Sequence, residues 1–395
     1  MAGGALSAAA IDAALGDAVE RGRVPGVVAM AATADGIAYS GAFGTRELAK
    51  AAPMTLDTVF RIASMTKAVT SVAAMQLVEA GKIALDDPVP DIDPALSHPQ
   101  VLAGFDTGGA PVLRPAGRPI ALRHLLTHTA GFSYDMWDAN TLRYMQVSGL
   151  PSPMTGRVAA LRQPLAFDPG DRWEYGINID WVGRIVEAVS GQPLDEYFRK
   201  HIFAPLGMTD SGFMPTAEQH ARRATLHQRV GDGRLEPQPL EMPPVPEFWA
   251  GGGGLFSTAP DYLTFLRMLL AGGSLAGARI LKPETVALMG ENHIGELQAG
   301  VMKTTSAARS NDVDFFPGAP VRWGLGYLIN QEPGPHGRSP GSLAWAGLFN
   351  TYYWIDPRRG LAALILTQIL PFADARVLDL YGAFERAIYT ALDAG

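Results

Sequence analysis

The sequence contains no cysteine and very little lysine. A chain without thiols forms no disulfide and offers no cysteine nucleophile, thiolate zinc site or iron–sulfur cluster. Serine is therefore the leading candidate for a nucleophile. The 32 basic residues include only the lysines Lys50, Lys67, Lys82, Lys200, Lys282 and Lys303.

An excess of positive charge is also missing. With 32 Lys and Arg against 39 Asp and Glu, the formal net charge is −7 at pH 7. This balance argues against a protein that binds nucleic acid or an anionic membrane, because both partners favour a basic surface. The chain also has no uncharged apolar run of the roughly 18 residues that a membrane-spanning helix needs.

The first residues do not resemble a secretory signal. Met1 to Leu6 carry no basic side chain, and Asp12 and Asp17 interrupt the apolar stretch that follows. We therefore expect a cytoplasmic protein.

The apolar pattern predicts helices at both ends of the chain and strands next to them. Ser7 to Glu20 is amphipathic, with Ser7 as a possible N-cap, and Val24 to Phe43 holds two apolar runs split by Asp35-Gly36, a hairpin signal. Strands are also predicted at Tyr352–Ile355 and Leu361–Thr367. Further helices are predicted at Ser64–Ala80, Asp180–Val189, Asp261–Leu270 and Ala373–Leu392.

This order of elements predicts a fold of the α/β + α class. We expect residues 1–85 and 250–395 to form one α/β lobe built from both termini. Residues 86–249 would form an inserted, mainly helical lobe.

The sharpest chemical signal is Ser64-Met65-Thr66-Lys67. Residues three apart at the start of a helix share one face, so the Ser64 hydroxyl and the Lys67 amine can meet. A buried lysine has a lowered pKa and can take the serine proton, while the helix N-terminus favours a developing oxyanion. The alternative is a capping serine with a solvated lysine, which the apolar flanking residues disfavour.

Two weaker signals lie further along the chain. Tyr175 precedes a predicted helix and could exchange a proton with Lys67, although a tyrosine in this setting is more often a core aromatic. In the predicted strand from Ser342 to Leu348, the small residues would let a substrate carbonyl approach the backbone. The Leu348 N–H could then be an oxyanion donor beside that of Ser64.

Together these three elements resemble the serine β-lactamase and penicillin-recognising superfamily. Within it, the chain is similar to the family VIII carboxylesterases, which have a class C β-lactamase fold, from about Ala10 to Tyr389. Supporting stretches are Leu122–Gly131, Pro205–Met208, Gly252–Leu255 and Trp345–Pro357.

The resemblance implies an antiparallel β-sheet flanked by helices, an inserted helical lobe, and an active site between the lobes. It implies Ser64 as the acyl-enzyme nucleophile, with Lys67 and Tyr175 as its proton-transfer partners. The backbone amides of Ser64 and Leu348 would form the oxyanion hole, and neither a cofactor nor a metal is implied.

The sequence departs from true β-lactamases of this fold at two places. They carry Tyr-x-Asn, but the second residue after Tyr175 is Ile177. They also carry Lys-Thr-Gly beside the nucleophile, where this chain has Trp345-Ala346-Gly347. Without the lysine, a charge-assisted contact worth about 1.5–3 kcal/mol to a substrate carboxylate is lost. An indole there favours a neutral, apolar ester. Lys303-Thr304-Thr305 is only a superficial substitute for Lys-Thr-Gly, because it is predicted to be loop.

The pattern from Tyr175 to Asp180 is also similar to polyketide side-chain acyltransferases related to lovastatin biosynthesis. Those enzymes pass an acyl group to an alcohol instead of water. The expected function is therefore a carboxylesterase acting on a small-molecule ester. An acyltransferase is the alternative, a β-lactamase or D-Ala peptidase-like activity is weaker, and a non-catalytic binding scaffold is disfavoured because all three motif residues are present.

Three other motifs partly match other kinds of site, but each lacks a feature that the site requires. Gly337-Arg338-Ser339-Pro340-Gly341 has the spacing of an α/β-hydrolase nucleophile elbow, but a strand is predicted after it and no histidine follows. His124 and His128 have the spacing of a helical zinc pair but lack the accompanying Glu and a third ligand. Gly251–Gly254 lacks the Lys of a phosphate-binding loop, so tight packing or passage beside the site is expected.

Aromatic residues are the remaining candidates for a substrate pocket. Besides Trp345 and Gly347, the candidates are Tyr134, Trp137, Tyr144, Phe248, Trp249, Phe315, Phe316 and Trp323.

Overall fold

A computed structural model describes residues 7–48, 50–240 and 246–394. Its α-helices are α1 Ala8–Glu20, α2 Thr66–Glu79, α3 Pro94–Ser97, α4 Leu122–Leu126, α5 Ala139–Ser148, α6 Asn178–Ser190, α7 Leu194–Phe198, α8 Ala204–Leu206, α9 Ala217–Ala221, α10 Ala259–Leu270, α11 Pro283–Met289 and α12 Ala375–Ala394. Short 3₁₀ turns are Ala63–Met65, Pro153–Thr155 and Val158–Leu161, and Arg199–Phe203 is a π-helical turn.

The strands of the same ranges are β1 Gly26–Thr33, β2 Gly36–Gly44, β3 Phe60–Arg61, β4 Gln100–Phe105, β5 Pro111–Pro115, β6 Leu226–Arg229, β7 Leu235–Gln238, β8 Phe256–Ser257, β9 Ser274–Leu275, β10 Ala278–Arg279, β11 Val321–Trp323, β12 Leu328–Asn330, β13 Leu343–Gly347, β14 Thr351–Asp356, β15 Leu361–Leu366 and β16 Ile369–Leu370.

Both ends of the chain contribute to one antiparallel sheet. In the described residues it has seven strands in the order β11-β12-β13-β14-β15-β1-β2. The predicted hairpin at Asp35-Gly36 is confirmed, since β1 and β2 pair directly and Thr33 faces Gly36. On its other side β1 pairs with β15, so that Val28 faces Leu366.

Helices cover this sheet. Residues 26–32 of β1 are buried without alternation, which requires that both faces of the strand are covered. Helix α10 contacts β1 and β15, and α1 contacts α12 and β2. The expected antiparallel sheet flanked by helices is thus confirmed.

Several predicted boundaries differ from the observed ones. Helix α2 starts at Thr66, because Ser64 lies in the preceding 3₁₀ turn. Helix α6 starts at Asn178, and α10 starts at Ala259 because Thr258 caps it with its side chain. Ser7 occupies the N-cap position of α1, as predicted, but its side chain makes no capping hydrogen bond.

The predicted inserted segment is not purely helical. Between residues 86 and 249 it includes the hairpins β4–β5 and β6–β7, whose short strands lack a clear two-residue alternation. Strand β6 also pairs in parallel with β16 from the C-terminal part of the chain. The division into two lobes stays a prediction.

Among the described residues, every helix is too short or too polar to cross a membrane. Met1–Leu6, on which the expected lack of a secretory signal partly depends, lie outside the described residues. The expected cytoplasmic location stays a prediction.

Candidate active site

A pocket lies at the N-terminal end of α2. Ser64, Tyr134, Trp137, Tyr175 and Trp345 line it, as do Phe248 and Trp249. The rest of its wall is largely apolar and includes Met136, Met154, Phe213, Met214, Leu348, Phe349 and Phe372. Such a lining favours an apolar ligand.

Ser64 lies in a strained turn. The residue before it, Ala63, has a φ of 45°, which costs a non-glycine residue of order 1–3 kcal/mol and occurs preferentially at functional sites. Two contacts hold the turn: Thr66 Oγ1 donates to the Ala63 carbonyl at 2.6 Å, and Tyr262 OH donates to the Met65 carbonyl at 2.8 Å.

Lys67 lies next to Ser64 in a dry environment. Its Nζ is 3.2 Å from Ser64 Oγ, and the side chain is almost completely buried. Burial lowers the pKa of Lys67 to about 7, against the opposing effect of the Asp180 carboxylate. A large part of the Lys67 population is therefore neutral at physiological pH and can accept a proton.

The contacts of Lys67 suit a neutral amine, which has two N–H donors and one lone pair. Nζ donates to the Gly252 carbonyl at 2.6 Å and to Tyr134 OH at 3.2 Å. The lone pair is then free to face the Ser64 hydroxyl.

Tyr175 contacts the third sequence element directly. The indole Nε1 of Trp345 donates to Tyr175 OH at 2.9 Å. Burial raises the pKa of Tyr175, and the neighbouring Ser64 and Trp345 side chains oppose this rise. The phenol is therefore protonated in the resting protein. Lys67 Nζ lies over the Tyr175 ring, 4.7 Å from its centroid.

The structure corrects the interpretation of Trp345. The sequence suggested only an apolar surface at this position, but the indole N–H is committed to Tyr175 OH. The ring also packs edge-on against Trp323, with the centroids 4.6 Å apart.

Asp180 and the glycine run form the floor below Lys67. The Gly252 N–H donates to Asp180 Oδ1 at 2.8 Å, and Thr70 Oγ1 donates to the Gly251 carbonyl at 2.6 Å. A Cβ on Gly252 would lie 2.6 Å from Asp180 Oδ2, so only glycine fits there. The expectation that this run packs tightly beside the site is confirmed.

The end of β13 lies against the nucleophile turn. A Cβ on Gly347 would lie 2.2 Å from the Ile62 carbonyl oxygen, two residues before Ser64. Leu348 lines the pocket, and its N–H donates to no backbone carbonyl in the turns and loops of residues 7–48, 50–240 and 246–394. Its role as an oxyanion donor stays a prediction.

Other predicted residues lie elsewhere. Tyr144 lies outside the pocket wall, and Phe315 and Phe316 line a neighbouring cavity beside α12. The prediction that Trp323 lines the pocket is wrong. Its side chain is fully buried, and its Nε1 donates to the Leu126 carbonyl at 3.2 Å. Gly347 is not among the residues of the pocket wall.

The alternative motifs are structural. Strand β13 follows Gly337–Gly341, so Ser339 precedes no helix and is no nucleophile elbow. His128 Nδ1 lies 3.0 Å from Asn178 Nδ2, whereas His124 Nδ1 accepts from the Ala121 N–H at 3.1 Å. Within the described ranges, no group of His, Asp and Glu side chains could hold a metal. Lys303 lies in loop, as predicted, and pairs with Asp312 at 2.9 Å.

Tyr134 and Asp180 were not predicted to contact the lysine. Asp180 belongs to the Tyr175–Asp180 motif, but no spacing rule gives its proximity to Gly252. Tyr134 was predicted only as a pocket aromatic, because a lone tyrosine in a loop carries no signal for the amine it will meet.

Known proteins match this chain along nearly its full length. The profile of the family described as Beta-lactamase matches residues 11–387. Monacolin J acid methylbutanoyltransferase of Aspergillus terreus is 35% identical over 408 residues, covering 98% of this chain and 96% of the relative. Lovastatin esterase of Penicillium rubens is 34% identical over 391 residues, covering 95% and 97% respectively.

A solved structure agrees with these matches. Unliganded simvastatin synthase (LovD) of Aspergillus terreus has a TM-score of 0.85 at 34% identity and covers 98% of each chain. The two resemblances predicted from the sequence, to the β-lactamase superfamily and to lovastatin-type acyltransferases, are confirmed.

Proposed function

Because the chain belongs to the Beta-lactamase family, we propose that it is a serine enzyme that forms an acyl-enzyme on Ser64 from a carboxylic ester. The acyl group then passes to an alcohol or to water. The observation that carries the proposal is the buried Lys67 amine, 3.2 Å from Ser64 Oγ, with its pKa lowered to about 7.

Acylation begins when Lys67 takes the Ser64 proton and Ser64 Oγ attacks the ester carbonyl. The backbone amides of Ser64 and Leu348 hold the oxyanion. When the carbon–oxygen bond of the ester breaks, Tyr175 gives its proton to the departing alcohol. The acyl-enzyme then holds a Lys67 ammonium and a Tyr175 phenolate, with the cation above the ring and the Trp345 N–H on the phenolate oxygen.

Deacylation reverses these proton transfers. The acceptor gives its proton to Tyr175 and attacks the acyl carbon, and the Lys67 ammonium returns a proton to Ser64 as its ester bond breaks. The cycle restores every group, whether the acceptor is an alcohol or water.

We favour an alcohol over water as the acceptor, and therefore an acyltransferase over the carboxylesterase expected from the sequence. The pocket wall is largely apolar, and Lys67 and Asp180 are almost completely buried, so an alcohol with an apolar body gains binding energy that water lacks. Two of the relatives support the two acceptors, since one is named a methylbutanoyltransferase and the other an esterase.

The first test is the capture of the acyl-enzyme. Incubation with 4-nitrophenyl esters of different acyl lengths should give a mass adduct on the peptide that contains Ser64, and Ser64→Ala should abolish both adduct and turnover. Ser339→Ala is the matched control, because this serine lies in the alternative motif, and it should retain activity. Turnover by Ser64→Ala would contradict the proposal.

The acceptor is tested by product partition. With a 4-nitrophenyl ester and an apolar primary alcohol in water, a transferase should give mainly the new ester, whereas a carboxylesterase should give mainly the free acid. Nitrocefin tests the weaker β-lactamase alternative, which predicts turnover comparable to that of esters.

A further inference from the structure

The cavity beside α12 has an apolar interior. Its volume is about 500 Å³, within the roughly 300–1,000 Å³ of typical small-molecule sites. Strands β12, β13 and β14 supply the buried apolar residues Leu328, Ala344, Trp345 and Tyr352 to its wall. Trp345 also lines the pocket of Ser64, so the two cavities are neighbours. An interior of this kind favours a ligand with an apolar body.

The charged residues of the wall leave an uncompensated cation at the mouth. Arg338 and Glu385 are buried and pair with each other at 2.6 Å, so their charges cancel. Arg386 is exposed at the surface end of the cavity. No carboxylate of the described residues lies within ion-pair distance of its guanidinium.

His336 holds this guanidinium in place without neutralising it. Arg386 Nη1 donates to His336 Nδ1 at 2.7 Å. Burial lowers the pKa of His336, and the cations Arg386 and Arg338 lower it further against the opposing effect of Glu385. The imidazole is therefore neutral at pH 7. It lies directly on α12, because a Cβ on Gly382 would lie 2.5 Å from His336 Nε2.

The remaining charges of the wall limit the kind of head group. They are Arg23, Asp314 and Asp379, one cation against two carboxylates. None of them is among the charges that act on the pKa of His336, so they lie farther from Arg386. Two carboxylates repel a dianionic head group such as a phosphate monoester. A carboxylate carries a single charge and matches the planar fork of a guanidinium.

We propose that this cavity is a second ligand site, which binds a medium-chain carboxylate. The acid group meets Arg386 at the mouth, and the apolar chain lies against Trp345 and Tyr352. The occupant would contact the same indole that donates to Tyr175 OH. The site goes beyond the acyl transfer at Ser64, because binding here needs no reaction.

Isothermal titration calorimetry at pH 8 with octanoate and with octanamide, its uncharged counterpart, tests the head-group contact. The wild-type protein should bind octanoate about 10-fold more tightly than octanamide. Arg386→Gln should abolish this preference by weakening octanoate alone. Arg376→Gln is the matched control, because it removes an exposed arginine of the same helix outside the cavity, and it should retain the preference.

Ala383→Phe tests where the chain lies. Ala383 lines the cavity from α12, so a phenyl ring there should fill the space and abolish the binding of both ligands. Unchanged octanoate binding by Ala383→Phe or by Arg386→Gln would place the ligand in the pocket of Ser64 and overturn the proposal. Absence of octanoate binding by the wild-type protein would overturn it as well. If Ala383→Phe fails to fold, the exposed Arg386→Gln variant decides.

These titrations use no ester. Their failure therefore leaves the proposed acyl transfer intact, and a failure of ester turnover leaves this site intact.

Discussion

Lys67 determines the pH range of the proposed chemistry. Burial penalises the ammonium form and lowers its pKa to about 7, so the amine is protonated below this pH and free above it. For a neutral ester, kcat/KM should therefore fall about tenfold per pH unit below pH 7 and level off above it.

A pH–rate profile between pH 5 and 9 measures this dependence. Lys67→Arg should be inactive over the whole range, because a guanidinium stays protonated. A flat wild-type profile would show that Lys67 is not the base.

Trp345 is expected to act on the rate through Tyr175. Trp345→Phe keeps an aromatic ring but removes the N–H that lies 2.9 Å from Tyr175 OH. Losing a hydrogen bond to a phenolate, worth about 1.5–3 kcal/mol, should lower kcat about 10- to 100-fold. Pre-steady-state acylation kinetics measure this loss, and a change confined to KM would contradict the assigned role.

At the scale of single residues, the sequence identified those whose contacts are local or belong to a recognised motif. Ser64 and Lys67 share one helical turn, so their proximity follows from spacing alone. Tyr134 gains its significance from a tertiary contact, because its hydroxyl meets an amine 67 residues away in the chain.

At the scale of elements, the position of β13 relative to the nucleophile turn controls the site. A Cβ at Gly347 would lie 2.2 Å from the Ile62 carbonyl oxygen and 2.3 Å from Thr351 Oγ1. Gly347→Ala should therefore push the strand away from Ser64 and lower kcat about 100-fold, because catalysis is sensitive to misplacement of about 1 Å.

Gly212→Ala is the matched control for this prediction. A Cβ at Gly212 would meet no atom within 4 Å, so ester turnover should be retained. Wild-type turnover by Gly347→Ala would show that β13 can shift without affecting Ser64.

Elements were predictable where their pattern is long and periodic. The hairpin β1–β2 and helix α12 gave such patterns. Strand β6 and the hairpin β4–β5 are short and partly exposed, and β6 is held by its pairing with β16, which lies about 140 residues later in the chain.

At the scale of the whole molecule, a buried ion pair connects α12 to the segment before β13. Arg338 Nη2 donates to Glu385 Oε2 at 2.6 Å, and both side chains are at most 5% exposed. Glu385→Ala leaves the guanidinium without its partner and should lower the free energy of unfolding by about 3–5 kcal/mol.

Urea denaturation measures this loss. Asp232→Ala breaks an exposed pair with Arg234 and should change stability by less than about 1 kcal/mol. Equal effects of the two variants would contradict the role assigned to the buried pair.

The overall architecture followed from the order of elements and the family resemblance. Neither source specified how the middle segment attaches to the sheet, because contacts such as that of β6 with β16 depend on packing that no local pattern encodes.

The pairing of β1 with β15 has a consequence for synthesis on the ribosome. Val28 and its partner Leu366 are 366 − 28 = 338 residues apart, which corresponds to roughly 17–70 s of elongation at about 5–20 residues per second. During this time the apolar hairpin β1–β2 has emerged but lacks its neighbour in the sheet. The nascent chain is therefore expected to depend on chaperones that shield this edge until the last tenth of the protein has been translated.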